Sequence, residues 1–197
     1  MAACVTQPAP DFKAMALVDG QFVSDFTLSQ YKGRKVVLFF YPLDFTFVCP
    51  TEILAFSDAI REFESRNTVV VGISVDSHFS HWAWTQVDRK EGGIQGIAYP
   101  LVSDFNKTIA QDYGVLLPAG MALRGLFIID ADPNQTIRHI TINDLPLGRN
   151  VEEALRLLDA IDFTHAHGEV CPANWRKGDK GFKPSVDGLK QFAGGRS

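Results

Sequence analysis

Two continuous apolar runs constrain the fold of this chain more than any other feature. VVLFFY spans residues 36–41 and VVVGISV spans residues 69–75, and each has the length of one β-strand. Apolar runs without polar alternation are typical of central strands buried on both faces of a sheet. Between them, apolar residues recur at helical spacing, which predicts a helix over about 50–66. The two runs therefore predict a strand–helix–strand unit.

The sequence after this unit predicts one more helix, a hairpin and a last helix. HFSHWAWTQVDRK, residues 78–90, is predicted to be helical, and residues 126–130 and 136–142 flank the turn ADPNQ as two hairpin strands. Asn150 with Glu153 resembles a capping box that opens the last helix. This order indicates an α/β layered sheet with a right-handed crossover in its strand–helix–strand part.

Composition predicts one globular domain with a tail. The chain has 197 residues, 46% of them hydrophobic, which is enough for one core. From about Gly168 the apolar periodicity of strands and helices ends, and Gly, Pro, Lys and Asp predominate. We therefore predict a domain over 1–165 and an extended arm over 166–197. Residues 1–173 carry 13 basic and 21 acidic side chains, net −8, whereas 174–197 carry 6 and 2, net +4. The basic tail either docks on an acidic surface, its own or a neighbouring subunit's, or is solvated.

Charge, apolar runs and cysteine content argue against several partners and locations for this protein. The net charge of −4 argues against nucleic acid or an anionic membrane as the main partner. The first twelve residues lack a signal-peptide pattern, and no apolar run approaches the roughly 20 residues of a membrane helix. Three cysteines are too few for a disulfide-built fold and suit a reducing compartment. We expect a cytoplasmic protein, with a removed transit segment as the alternative.

The stretch DFTFVCPTE, residues 44–52, places Cys49 just past the first central strand. Open α/β sheets place their sites at this end of the strands. Pro50 suits the first turn of a helix, whose N-terminal N–H groups and partial positive charge favour thiolate over thiol. Thr46 can reach the same turn with its hydroxyl. Cys49 is therefore a candidate nucleophile.

Ionisation alone would not make Cys49 a fast catalyst. A free thiol with a pKa of about 8.5 is about 3% thiolate at pH 7, so full ionisation gains at most about 30-fold. Intrinsic nucleophilicity also falls as the pKa falls. A second group, an arginine or a hydroxyl beside the sulfur, must bind the electrophile and stabilise the leaving group.

Four other roles for the cysteines remain open from residue types alone. Cys49 could be an inert buried cysteine. A redox dithiol is disfavoured because the next cysteine lies 122 residues away, and a cysteine hydrolase lacks a nearby histidine partner. A metal site would use residues in a spacing that is not a standard zinc pattern: His165, His167 and Cys171, with His78 and His81.

Four stretches together resemble the typical 2-Cys peroxiredoxins, thioredoxin-fold thiol peroxidases that include alkyl hydroperoxide reductase C and the thioredoxin peroxidases. FFYPLDFTFVCPTE carries the pattern P-x-x-x-T-x-x-C on Pro42, Thr46 and Cys49. HGEVCPANW resembles the family's second cysteine region at Cys171. DLPLGRN and ALRGLFIID match as well, so the resemblance covers the chain from about Pro8 to the tail. It implies a thioredoxin-like fold with a central mixed β-sheet flanked by helices and an extended C-terminal arm.

The resemblance implies a role for each of these residues. Cys49 is similar to the peroxidatic cysteine, which attacks a peroxide and becomes a sulfenic acid. Thr46 resembles the hydroxyl that hydrogen-bonds the sulfur and the peroxide, and Pro42 resembles the residue that shields the pocket. Arg124 resembles the guanidinium that holds the thiolate and polarises the O–O bond.

The remaining implied roles lie around this centre. Glu52 and Arg149 resemble the residues that position Arg124. Cys171 is similar to the resolving thiol, which in this family comes from the partner subunit and forms an intersubunit disulfide with Cys49. Cys4 matches neither motif and is predicted to be a spare thiol.

The resemblance also implies partners. It implies peroxides as substrates and thioredoxin or a dedicated disulfide reductase as electron donor, with no cofactor and no metal. It implies a homodimer, joined across the strand after the ADPNQ turn, and a ring of five dimers. The alternatives are a ring-shaped holdase chaperone or a peroxide-signalling relay, and an inert thioredoxin-fold binding protein is a third.

Two departures from the family pattern predict resistance to overoxidation. Easily inactivated members carry a Gly-Gly-Leu-Gly-like loop and a C-terminal Tyr-Phe pair, which together clamp the folded form. Here the loop reads GGIQG, with Gln95 at the fourth position, and Gln191 stands where the tyrosine would be, before Phe192. We therefore expect a weakened clamp.

The residues of the second predicted helix are assigned no catalytic role. Trp82 and Trp84 are predicted to be core, and His78 and His81 to be surface or capping residues.

Overall fold

A computed structural model describes residues 2–194, and its contacts divide the chain after Val151. The first compact unit holds the sheet, and the second, from residue 152 onward, holds most of one long helix and the tail. The functional boundary drawn at 165/166 stays a prediction. Within residues 2–194, no helix has both the length and the apolar character needed to cross a membrane.

The first unit is built on a seven-stranded mixed sheet in the order β2-β1-β5-β4-β3-β6-β7. The strands are β1 (Lys13–Val18), β2 (Gln21–Thr27), β3 (Lys35–Phe40), β4 (Thr68–Ser74), β5 (Leu101–Ser103), β6 (Arg124–Ile129) and β7 (Ile137–Asn143). β3, β4 and β5 run parallel, and the other neighbours pair antiparallel. The mixed sheet flanked by helices is the thioredoxin-like fold that the resemblance implied.

The two apolar runs form the centre of this sheet, as predicted. All six residues of β3 are buried, and so are six of the seven residues of β4. β3 pairs with β4 on one side and with β6 on the other. Because both faces of β3 are covered, its side chains need no polar alternation.

Within the described residues, the first unit has four α-helices. The two that were predicted from the sequence, over 50–66 and 78–90, are shorter than the residue patterns that predicted them. The helices are α1 (Cys49–Asp58), α2 (Ile60–Glu64), α3 (His78–Thr85) and α4 (Thr108–Asp112). The pattern over 50–66 divides into α1 and α2 at Ala59, whose φ of −91° and ψ of 8° leave the helical region. The pattern over 78–90 ends at Thr85 and resumes as one 3₁₀ turn at Arg89–Glu91.

Several elements were not predicted from the sequence. β1 and β2 are largely half-buried or exposed, β5 has only three residues, and α4 has only five. Segments this short, or this weakly patterned, lack a periodicity that marks them.

The second unit contains α5 (Val151–His167) and α6 (Val186–Gly194). α5 begins directly after Asn150, where the capping box predicted a helix start. The predicted arm is partly ordered by its own contacts, because Val170 pairs with Phe182 in an isolated antiparallel bridge. The Phe182 ring stacks on Phe192 of α6 with centroids 4.9 Å apart. Gly195, the last residue of the tail stretch LKQFAGG (189–195) that contains Gln191 and Phe192, lies outside the described residues.

Candidate active site

Cys49 is the first residue of α1 and is completely buried. Pro50 occupies the next position, where its missing N–H costs no helical hydrogen bond. The backbone N–H groups of Thr51 and Glu52 both donate to the Val48 carbonyl, which closes the first turn. The sulfur therefore lies in the positive field of a helix N-terminus, an environment that favours thiolate.

Arg124, the first residue of β6, provides the second group that the sequence argument required. Its Nη1 donates to Cys49 Sγ at 3.4 Å and to Glu52 Oε2 at 2.5 Å. Its Nε donates to the Leu145 carbonyl at 2.7 Å, which fixes the guanidinium plane. The antiparallel pairing of β6 with β3 places Arg124 at the end of β3 that leads to Cys49.

Glu52 joins Arg124 to Arg149. Arg149 donates to Glu52 Oε1 from its side-chain Nε at 2.7 Å and from its backbone N at 2.9 Å. The side chains of all three residues are at most 4% exposed. Two buried guanidinium groups thus share one carboxylate, and the surplus positive charge lies beside the sulfur. A thiolate at Cys49 neutralises it, since a buried charge needs a partner.

Arg149 is itself held by the sheet. Its Nη1 donates to the carbonyls of Phe40 and Gly125 at 2.8 and 2.7 Å, and its guanidinium lies 5.0 Å from the Phe39 ring centroid. Its Nη2 has no hydrogen-bond partner within the described part of the chain. Burial lowers the pKa of Arg149, while the hydrogen bond to Glu52 opposes this shift. Because guanidinium remains charged far above neutral pH, Arg149 is a fixed cation here.

Pro42 and Thr46 lie in the loop between β3 and α1. Pro42 is buried and Thr46 is half-buried. The Thr46 hydroxyl donates to the Leu43 carbonyl at 2.9 Å. With its proton used in this bond, the Thr46 oxygen has its lone pairs free to accept from another donor.

Cys171 lies in the second unit and is half-buried. Its sulfur is 3.8 Å from the Ala160 carbonyl of α5. Burial raises the pKa of the Cys171 thiol, and the nearby Arg156 guanidinium opposes that shift. Arg156 is fixed by two hydrogen bonds to Glu153 and by one to the Trp175 carbonyl at 2.9 Å.

His81 is not the surface or capping residue that we predicted. It is completely buried, and its Nδ1 lies 2.8 Å from Asp44 Oδ2. A signal was present in the sequence: His81 precedes Trp84 by one helical turn, so the two share the core-facing side of α3. The sequence argument also missed Tyr41, whose hydroxyl donates to Asp44 at 2.8 Å.

The predictions for Trp82, Trp84 and Cys4 have mixed outcomes. Trp84 is core as predicted, whereas Trp82 is 45% exposed, so the prediction for Trp82 is wrong. Cys4 is exposed, as expected for a spare thiol. Within residues 2–194, no group of three or more His, Cys, Asp or Glu side chains is arranged to hold a metal ion.

Comparison with known proteins assigns the family. The model of the AhpC/TSA family matches residues 5–140, and the model of the C-terminal domain of 1-Cys peroxiredoxin matches residues 160–195. A thioredoxin peroxidase of Echinococcus granulosus is 58% identical over 193 residues, covering 98% of each chain. A mitochondrial thioredoxin-dependent peroxide reductase of Homo sapiens is 56% identical, covering 97% of this chain and 74% of its own length.

A solved structure agrees with this assignment. The reduced 2-Cys peroxiredoxin of Plasmodium vivax superposes with a TM-score of 0.93 at 44% identity, covering 96% of this chain and 98% of its own. The chain belongs to the AhpC/TSA family and is a peroxiredoxin.

Proposed function

We propose that this chain is a thioredoxin-dependent thiol peroxidase that reduces hydrogen peroxide and small organic hydroperoxides. The observation that carries the proposal is the 3.4 Å contact between Arg124 Nη1 and the buried Cys49 sulfur. One guanidinium there stabilises the thiolate and faces the place where a bound peroxide would develop charge. The names of the relatives, thioredoxin peroxidase and thioredoxin-dependent peroxide reductase, support the same electron donor and substrate.

In the first step, the Cys49 thiolate attacks the terminal oxygen of the peroxide. An S–O bond forms, the O–O bond breaks, and the leaving alkoxide or hydroxide takes up a proton to become an alcohol or water. Arg124 stabilises the charge on the departing oxygen, as an oxyanion donor does. The Thr46 oxygen is available to accept the hydrogen bond of the peroxide O–H. Cys49 is left as a sulfenic acid.

In the second step, Cys171 of a partner subunit resolves the sulfenic acid. The Cys171 sulfur attacks the Cys49 sulfur, a disulfide forms, and water leaves. The dithiol of thioredoxin, or of a dedicated disulfide reductase, then reduces the disulfide and regenerates both thiols. Electrons therefore pass from the reductase through Cys171 and Cys49 to the peroxide.

We infer a homodimer as the working unit and a ring of five dimers as its assembly. β7 lies at the edge of the sheet, where a second copy can pair with it. Large apolar side chains elsewhere on the first unit are solvent-exposed and suit a second contact between copies: Phe22, Phe79, Trp82 and Phe105. Analytical ultracentrifugation of the reduced chain tests for the decamer.

The cytoplasm is the proposed location of the protein. Cell fractionation tests this proposal, because some relatives are named mitochondrial.

The function is tested by following peroxide consumption with three reductants: thioredoxin with its reductase, glutathione, and a flavoprotein disulfide reductase. Turnover should occur with thioredoxin and should be absent in Cys49→Ser. Cys171→Ser should consume about one peroxide per subunit and then stop. Cys4→Ser is the matched control and should behave like wild type. Turnover that persists in Cys49→Ser would show that another group attacks the peroxide.

A further inference from the structure

A buried polar network lies beneath the loop that carries the active-site residues. We call residues 41–49, which run from the end of β3 to the first residue of α1, the active-site loop. Asp44 in this loop is held by its Oδ1, which accepts from the Tyr41 hydroxyl at 2.8 Å, and by its Oδ2, which lies 2.8 Å from His81 Nδ1. The Asp44 and His81 side chains are at most 1% exposed, and Tyr41 is completely buried.

The hydrogen bonds fix the orientation of the His81 ring. Nδ1 faces the Asp44 carboxylate, and Nε2 lies 3.2 Å from the Val102 carbonyl of β5. A carboxyl group and a backbone carbonyl are both oxygen partners for an imidazole ring. Each ring nitrogen of His81 thus has one oxygen partner. The Tyr41 hydroxyl also lies 3.4 Å from Nδ1 and donates its hydrogen bond to Asp44.

A second carboxylate lies behind this pair. The Asp44 backbone N–H donates to Asp76 Oδ2 at 2.9 Å, and the Ser74 hydroxyl donates to the same oxygen at 2.7 Å. Burial raises the pKa of Asp76, and the nearby Asp44 carboxylate raises it further. Asp44 and Asp76 are therefore two acidic residues of one network, and His81 is the ring that contacts Asp44.

These contacts connect the loop to a rigid base. His81 lies on α3, Ser74 ends β4, and Val102 lies in β5. Asp44 stands two residues before Thr46 and five before Cys49 in the same loop. The active-site loop is thus fixed to the sheet partly through the buried contact between Asp44 and His81.

We propose that His81 is a positioning residue of the peroxidase: through Asp44, it holds the active-site loop folded around Cys49. The inference rests on the proposed function of Cys49. It states that His81 influences the relative rates of peroxide attack and disulfide formation. Peroxide attack needs the folded loop, whereas disulfide formation needs the first turn of α1 to open so that Cys49 can meet another thiol. Loss of the His81–Asp44 contact leaves the buried Asp44 Oδ2 without its partner and shifts the population toward the open loop.

The test measures both steps separately in His81→Gln, which keeps a hydrogen-bond donor but removes the imidazole ring that contacts both Asp44 and the Val102 carbonyl. Stopped-flow tryptophan fluorescence gives the rate constants of peroxide attack and of disulfide formation, and mass spectrometry gives the sulfinic acid formed per turnover. Relative to wild type, attack should slow, disulfide formation should accelerate, and the ratio of the two should fall at least tenfold. Sulfinic acid per turnover should fall with that ratio. His78→Gln is the matched control, because His78 lies on α3 but contacts Phe22 and Phe79 instead of the loop.

A milder variant keeps the inference testable if His81→Gln does not fold. Tyr41→Phe removes only the hydrogen bond to Asp44 and should move the ratio in the same direction by about two- to tenfold. In both variants, hydrogen exchange of the peptide over 41–56 in the reduced protein should accelerate, a readout that does not require peroxidase activity.

The outcomes separate the inference from the proposed function. If attack and disulfide formation slow together, or if the ratio and the exchange match those of His78→Gln, His81 does not control the loop. An unchanged ratio and unchanged exchange in Tyr41→Phe would refute the inference in the same way when His81→Gln cannot be purified. If wild type itself consumes no peroxide, the proposed function falls, and hydrogen exchange alone decides whether His81 holds the loop.

Discussion

Replacement of Arg124 by glutamine should slow peroxide attack more than any loss of thiolate explains. Arg124 Nη1 lies 3.4 Å from the Cys49 sulfur. At that distance a full charge pair is worth about 5 kcal/mol at an effective dielectric constant of about 20, before desolvation is counted. Loss of one donor to a developing oxyanion typically costs about 100- to 1000-fold in rate, or about 2.7–4 kcal/mol. We therefore expect the second-order rate constant for peroxide attack to fall about 100- to 1000-fold.

The structure indicates that this variant will fold. Glu52 keeps its two hydrogen bonds from Arg149 when Arg124 is absent, so its carboxylate is not left unpaired. Arg124→Lys should have intermediate activity, because lysine keeps the charge and loses the fork that reaches Glu52 and the Leu145 carbonyl together. The matched control is Arg138→Gln, since Arg138 is an ion-paired arginine bound to Asp130 at 2.7 Å in the β6–β7 hairpin.

The assay is stopped-flow peroxide attack on the reduced chain, measured from pH 6 to pH 10. Raising the pH supplies thiolate but cannot restore a donor to the departing oxygen. The Arg124→Gln rate should therefore stay well below the wild-type rate across the whole range. Recovery of the wild-type rate at high pH would refute this prediction. Arg124 would then act only by stabilising the Cys49 thiolate.

Three further predictions concern the thiols and the tail. Peroxide-treated protein should run as a covalent dimer on a non-reducing gel, and the band should disappear in Cys49→Ser and in Cys171→Ser; a band that survives in both would contradict the intersubunit disulfide. Arg156→Gln should raise the pKa of Cys171 further, because the guanidinium now opposes the effect of burial. Disulfide formation should then be slower near pH 7 and its pH profile should move to higher pH, whereas an unmoved profile would exclude this role. For the tail, Gln191 is exposed beside a cavity of about 760 Å³ in the second unit, so Gln191→Tyr should add apolar contact and increase sulfinic acid formation on Cys49 during turnover. Truncation after Lys183 should decrease sulfinic acid formation, and if inactivation by peroxide were the same in all three proteins, the clamp argument would fail.

The sequence by itself determined the local features of this protein. The buried strands β3 and β4 followed from apolar runs, and the start of α1 at Cys49 followed from a proline that belongs in a first helical turn. The family followed from two cysteine motifs in order, and with it came the identities of Arg124, Glu52 and Arg149. Each of these inferences depends on residues close together in the chain or on motifs recognised whole.

Only the tertiary structure decided which distant groups meet. Arg124 lies 75 residues from Cys49, and the β3–β6 pairing brings it to the sulfur. Arg149 lies 97 residues from Glu52 and meets it only in the folded chain. The spacing to Trp84 marks the core-facing side of α3, but the partners of His81 come from the loop at Asp44 and from β5 at Val102, and only the folded chain shows them. Buried charges are stable only when their partners surround them, and those partners come from several strands at once. For that physical reason the charge arrangement around Cys49, and the network beneath its loop, could be derived from the folded chain alone.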